Sequence, residues 1–95
     1  MKVYIIGSVT KSEYAIKCAA TKFKELGYEV RYVKKEHGVP LETLIHNCYL
    51  HIESWADIVV VVPKSIVDTE IIIGDGTKYE MEHAKSFGKP VLIWY

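Results

Sequence analysis

Short runs of β-branched and aliphatic residues alternate along the chain with longer stretches whose apolar positions recur every three or four residues. The runs at 2–6 (KVYII), 28–33 (YEVRYV), 57–62 (DIVVVV) and 90–94 (PVLIW) read as strands. The first, third and fourth are apolar nearly throughout, the pattern of parallel strands covered on both faces. Between them the spacing predicts helices over 12–26, 41–54 and 77–87. The first carries Tyr14 or Ala15, Cys18, Ala19, Lys22 or Phe23, and Leu26 on one stripe and stops at Gly27. The second follows Pro40 and carries Leu41, Leu44, Ile45, Cys48, Ile52 and Trp55. The third stops at Gly88, with Pro90 beyond it.

Strand and helix alternating in this way imply a parallel sheet between two helical layers, joined by right-handed crossovers. The expected fold is therefore a three-layer α/β domain of the flavodoxin/Rossmann-like kind, with four strands in the order 2-1-3-4. That order reverses between the first and third strands, and ligands of open α/β sheets sit outside the carboxyl ends of the strands at such a reversal. The segments 7–11 and 63–77 are the ones to search for chemistry.

Composition narrows the picture. A length of 95 residues, 49% of them hydrophobic and 25% charged, gives one globular domain over 1–95 and a single core. Twelve basic residues balance twelve acidic ones, and the lysines are scattered, so neither nucleic acid nor an anionic membrane is expected as a partner. No apolar run approaches the 18 or so residues of a membrane span, and the chain opens on KVYII with no charged-then-apolar leader. With Cys18 and Cys48 both among apolar helix positions, buried free thiols and a cytoplasmic location are the expectation. So small a domain leaves apolar surface uncovered. Trp55 and the Trp94-Tyr95 end are expected to be covered by a second copy, giving a homodimer or higher homo-oligomer.

The loop after the first strand reads GSVTKS, residues 7–12. Gly7 allows close approach of backbone, Ser8, Thr10 and Ser12 offer hydroxyls, Lys11 offers an ammonium, and a phosphate can rest on the helix amino terminus that follows. The same residues also satisfy a structural reading, since Thr10-x-x-Glu13 has the form of a capping box. The spacing is not that of a nucleoside-triphosphate loop, which needs a second glycine.

The second segment contains IGDGTKYEMEHA, residues 73–84. Thr77-x-x-Glu80 again has the form of a capping box. At about 100° per residue, however, Glu80 falls beside Ala84 and Phe87, with Met81 at the edge of the same stripe, and so faces the sheet. A carboxylate on that stripe costs desolvation unless a cavity or partner receives it. Placed in the first turn, it would be helped to stay ionised by the helix amino terminus. Held against a pocket, it can add to a cationic sugar carbon. Asp75, flanked by Gly74 and Gly76, either accepts from a sugar hydroxyl or serves as a turn or N-cap aspartate. Asp68 lies in the same long segment. Gly76 and Thr77 complete the stretch expected to touch substrate.

The stretches K-V-Y-I-I-G-S, A-D-I-V-V-V-V and D-G-T-K-Y-E-x-x-x-A-x-x-x-G-K-P-V, spanning nearly the whole chain in order, resemble the nucleoside 2-deoxyribosyltransferase superfamily. The last is the most specific. The resemblance implies cleavage or transfer at the N-glycosidic bond of a (deoxy)nucleoside or its 5′-monophosphate, with Glu80 as nucleophile and Asp75 as a sugar- or base-contacting carboxylate. It implies Tyr4, Gly7 and Ser8 as pocket wall and loop, and calls for no cofactor. Two departures stand out. Members commonly carry an aspartate just after the third strand, where this chain has Pro63-Lys64, leaving Asp68 as the available substitute, and the chain is shorter than most of them. A non-catalytic nucleotide-binding protein of the same fold is the alternative. Gly74-x-Gly-Thr-x-x-Glu80 is also similar to the glycine-rich motif of the Lonely Guy phosphoribohydrolases, although their partner arginines are reduced here to Arg31.

Other groupings carry less. His46, Cys48 and His51 do not share a helix face, so no metal site is expected. His83, one turn beyond Glu80, reads as a solvated helix histidine or as a pocket border. The segment Ile66-Val67 through Ile71-Ile72-Ile73 is apolar for a loop and is expected to be a subunit contact or a lid.

Overall fold

The computed structural model describes residues 1–8, 11–34 and 38–94. Along the chain run β1 (Lys2–Gly7), α1 (Glu13–Glu25), β2 (Glu29–Tyr32), α2 (Leu41–Ser54), β3 (Ile58–Val62), β4 (Ser65–Val67), β5 (Glu70–Ile72), α3 (Asp75–Ser86) and β6 (Val91–Ile93). Four strands form a parallel sheet in the order β2-β1-β3-β6, with β1 in register against both β2 (Val3 opposite Val30) and β3 (Val3 opposite Ile58). This is the α/β arrangement and strand order expected from the periodicity.

Two cores divide the sheet's faces. Alternate residues of β1 and β3, namely Val3, Ile5, Val60 and Val62, pack against Ile16, Ala19 and Ala20 of α1. Their neighbours Tyr4, Ile6, Val59 and Val61 pack against Cys48 and Ile52 of α2 and Ala84 of α3. Side chains of a strand point alternately to the two faces, so two strands that are apolar nearly throughout fill both cores at once. One helix on one face and two on the other complete three layers.

Several details differ from the periodic reading. Helix α1 buries Ile16, Ala19 and Ala20 with Ala15 and Phe23 beside them, so Ala15, Ala19 and Phe23 of the expected stripe face in and the rest of it does not. Tyr14 is 82% exposed and Leu26 58%, and Cys18 is an exposed thiol, whereas Cys48 is buried as expected. Alanines let the helix lie close to the sheet, and that proximity decides which face turns in. The fourth strand of the sheet is not covered on both faces: Leu92 and Ile93 of β6 are 50% and 41% exposed, because three helices cannot cover both faces of four strands. Trp55 and Trp94 are each half covered within the chain, Trp55 beneath the Arg31 guanidinium at 4.4 Å and Trp94 against the Phe23 ring at 5.6 Å. Tyr95 lies outside the described residues.

The segment between β3 and α3, read as a loop, contains an antiparallel hairpin in which Ile66 pairs with Ile71. Its turn, Asp68-Thr69, has φ of 48° and 68°, the left-handed pair that suits a two-residue hairpin connection. Helix stops at Gly27 (φ 92°) and Gly88 (φ 70°) fall where the sequence placed them.

Gly7 ends β1 where three elements meet. A Cβ there would lie 2.9 Å from the Val62 carbonyl oxygen and 3.2 Å from the Ile16 Cδ1 atom, so the glycine is required by packing inside the chain. Gly7→Ala should lower unfolding stability by about 1–3 kcal/mol through overpacking, to be read as a reduced urea midpoint at unchanged slope.

Candidate functional site

β1 and β3 stay paired to their carboxyl ends, Gly7 opposite Val62, but the chain leaves them toward helices on opposite faces, and α2 and α3 close the opening from one side. A cavity of about 280 Å³ sits there, lined by Gly7 and Ser8 after β1, by Leu44 and Cys48 of α2, and by Gly74, Gly76, Thr77 and Glu80 of α3 and its entry. The position is the one topology assigns to ligands of such sheets. At Gly74 and Gly76 an added Cβ would meet nothing within 4 Å, so packing within the chain does not require glycine at either position.

Helix α3 starts at Asp75 with Gly74 as N-cap, and its first backbone bond runs from the Lys78 amide to the Gly74 carbonyl at 3.0 Å. Thr77, buried, and Glu80 are both interior helix residues, so neither takes part in a capping box. The helix runs through Gly76 despite that residue's poor propensity, and Asp75, negative in the first turn, favours its amino end. Glu80 consequently belongs to the second turn. On its stripe Ala84 is buried and Met81 packs against the core, while Phe87 is 51% exposed and does not face in.

Among the described residues, Oε2 of Glu80 is buried without a hydrogen-bond partner. Desolvation raises the carboxyl from its ordinary 4.5 to about 7. The expectation that the helix amino terminus keeps it ionised is thereby corrected. A helix end is worth about 0.3–1 kcal/mol and only within the first turn, whereas a shift from 4.5 to about 7 corresponds to roughly 3 kcal/mol against the charged form.

Beneath the cavity floor, the Tyr4 hydroxyl donates to the Cys48 thiol across 3.2 Å, and the Tyr4 ring stacks on His51 at 5.1 Å. Burial pushes the Tyr4 hydroxyl far above its ordinary range, with Cys48 adding to the effect. Burial likewise pushes the Cys48 thiol up to about 11, outweighing the bond from Tyr4 that lowers it. Cys48 is therefore a neutral thiol at physiological pH.

The remaining sequence candidates separate into two groups. Gly7, Ser8, Gly76 and Thr77 line the cavity with Glu80. Asp75 is exposed at the start of α3, Asp68 is exposed at the hairpin turn, and Lys11 is exposed ahead of α1; none of the three lines the cavity. The Lys11 amide donates to the Ser8 hydroxyl at 3.2 Å, and Ser12, the N-cap of α1, gives its hydroxyl to the Pro63 carbonyl at 3.0 Å. Thr10 lies outside the described residues. With α1 beginning at Glu13, that glutamate is the first helical residue and not the far member of a capping box. His83 is part-buried and does not line the Glu80 cavity: its Nε2 atom meets Glu53 Oε1 at 2.6 Å and its ring stacks on Tyr49 at 4.1 Å, joining α2 to α3. Among the described residues there is no group of three or more His, Cys, Asp or Glu that could hold a metal ion, and no helix is long and apolar enough to cross a membrane.

Leu44 and Cys48 were read only as core. The available signal was α2's crossover over β1, which lays its apolar stripe across the crevice. Comparison with protein-family models finds none that matches the chain, and no curated protein matches it either.

The raised Glu80 carboxyl links stability to pH. Between pH 4.5 and about 7 the unfolded chain has released this proton and the folded one still holds it, so this contribution to stability is complete below pH 4.5 and falls as pH rises through 7. The fall is of order 3 kcal/mol at most. Urea unfolding across pH 4.5–8 should show this decline in the wild type and a flatter profile in Glu80→Gln.

Proposed function

We propose that the chain binds a nucleoside or nucleoside 5′-monophosphate at this cavity and that Glu80 acts on its base–sugar bond. The observation that carries the reading is a carboxyl group with one oxygen buried and unpartnered, facing a cavity at the sheet's switch point. The resemblance of the motif around Glu80 to nucleoside 2-deoxyribosyltransferases supports the same substrate class. A carboxyl of pKa about 7 is partly ionised at neutral pH and poorly solvated, which suits a nucleophile whose target is a carbon gaining positive charge.

In the proposed reaction, a Glu80 carboxylate oxygen forms a bond to the anomeric carbon. The carbon–nitrogen bond breaks, and its electron pair leaves with the base. Water or a second base then displaces the ester, giving free sugar or a new nucleoside and restoring the carboxylate. The departing nitrogen needs a proton. Asp68 and Asp75 do not line the cavity, so water supplies it unless one of them moves in.

That gap favours a second reading, a protein that binds the nucleotide without cleaving it, as a sensor or sequestering protein. The chain passes from β3 into buried Pro63 and exposed Lys64, with no carboxylate there to protonate a leaving base. Incubation with deoxynucleosides and their 5′-monophosphates, followed by chromatography of released base, separates the two. Release abolished by Glu80→Ala, with kcat/KM rising through pH 7 as the carboxyl ionises, is expected of the enzyme. Saturable binding without release identifies the binding protein. Release unchanged in Glu80→Ala would overturn the role of Glu80.

We further propose a homodimer formed through the apolar hairpin, where Ile66, Val67 and Ile72 are exposed close in sequence to the cavity wall. Sedimentation should give a dimer for the wild type and a monomer for Ile66→Lys. A monomeric wild type would refute it.

A further inference from the structure

A second cavity, of about 420 Å³, wraps the open edge of β2 and reaches the first: both are lined by Val33, Lys34, Leu44 and Cys48. In a chain whose formal charges cancel, this lining contains Lys24, Arg31 and Lys34 and, among the described residues, no carboxylate. Among the described residues, none of these three cations belongs to a salt bridge. Such a concentration of one sign on a concave wall focuses a positive potential into it.

The cations are also positioned. The Arg31 guanidinium lies 4.4 Å over the Trp55 ring, a cation–π contact that holds it in place and leaves its charge unneutralised. The Lys24 and Lys34 ammonium groups converge on one ring, 6.0 and 5.1 Å from the centre of Tyr32. The Glu29 and Val33 amides are bonded to β1, so by the alternation of a parallel ladder the Val30 and Tyr32 amides point out from the open edge. Arg31 turns with Trp55 to the α2 face of the sheet and Tyr32, with Lys24 and Lys34, to the α1 face, so the cavity reaches around the strand edge between them, with Asn47 and His51 of α2 also in its lining.

We propose that this cavity is an anion subsite that takes a phosphate group, and that a phosphorylated ligand extends from the Glu80 cavity across Cys48 into it. The first half stands on the lining alone; the joining of the two cavities by one ligand rests on the function proposed above. The assignment also moves the phosphate away from the GSVTKS loop, where Lys11 does not line either cavity.

The test has two arms. Inorganic pyrophosphate titrated into the ¹⁵N-labelled protein at low salt should shift the amide signals of residues 30–34 and Lys24, and do so equally in Glu80→Gln. Arg31→Gln with Lys34→Gln, both on exposed side chains and so of little consequence for folding, should weaken this about tenfold or more. Shifts confined to residues 7–12, or none, would overturn the subsite. In the second arm, calorimetry should show a deoxynucleoside 5′-monophosphate binding more tightly than its nucleoside, with the difference lost in the double variant. A preference that survives the double variant would overturn the joining of the cavities. Pyrophosphate binding as expected, with neither nucleoside nor nucleotide bound, would leave the anion subsite standing and refute the Glu80 reading instead.

Discussion

A right-handed crossover puts its helix on one face of a sheet when the chain travels one way and on the other face when it travels back. The chain moves outward from β1 to β2, then back across β1 to β3 and on to β6. Helix α1 is thereby separated from α2 and α3, and the strands at the reversal are left with an uncovered end. The two cores, the cavity and the position of Glu80 all follow from that one constraint. The pairing of Gly7 with Val62 and the bond from Ser12 to the Pro63 carbonyl tie the end of β1 and the start of α1 to the end of β3, beside the opening.

Within the cavity, the decisive contest is between burial and the helix end. Because α3 begins at Asp75, its terminal N–H groups are a turn away from Glu80, and nothing close by offsets the loss of water around the carboxyl. Cys48 and Tyr4 bond to each other and not to Glu80, and both are driven further toward their neutral forms by its charge. The site therefore sets one poorly solvated acid beside two neutral groups, Tyr4 and Cys48, with Lys34 also on the cavity wall but, among the described residues, in no ion pair with it.

The sheet's outer strands meet opposite fates. At β2 the uncovered edge is bordered by Lys24, Arg31 and Lys34; at β6 it is bordered by Leu92 and Ile93, with an exposed apolar hairpin elsewhere on the surface. A charged margin discourages pairing with another strand, whereas an apolar one invites association.

The sequence alone determined the architecture, because β1 and β3 are apolar at nearly every position while the helices repeat at three and four. That difference in period specifies layers, strand order and the reversal. It also singled out Glu80, since a charge on an inward stripe conflicts with the pattern around it. Period does not give distance, and distance decided the rest. Only packing showed that α1 turns Ile16 inward and leaves Cys18 exposed, and that α3 starts two residues before its apparent cap. The hairpin at 65–72 was hidden because its strands are short and their pairing depends on a turn with positive φ. The cationic cavity was equally invisible, for Lys24 and Arg31 come from α1 and β2 and meet only where the chain folds around an edge. Local order is set by neighbours in sequence; which charges share a cavity is set by neighbours in space.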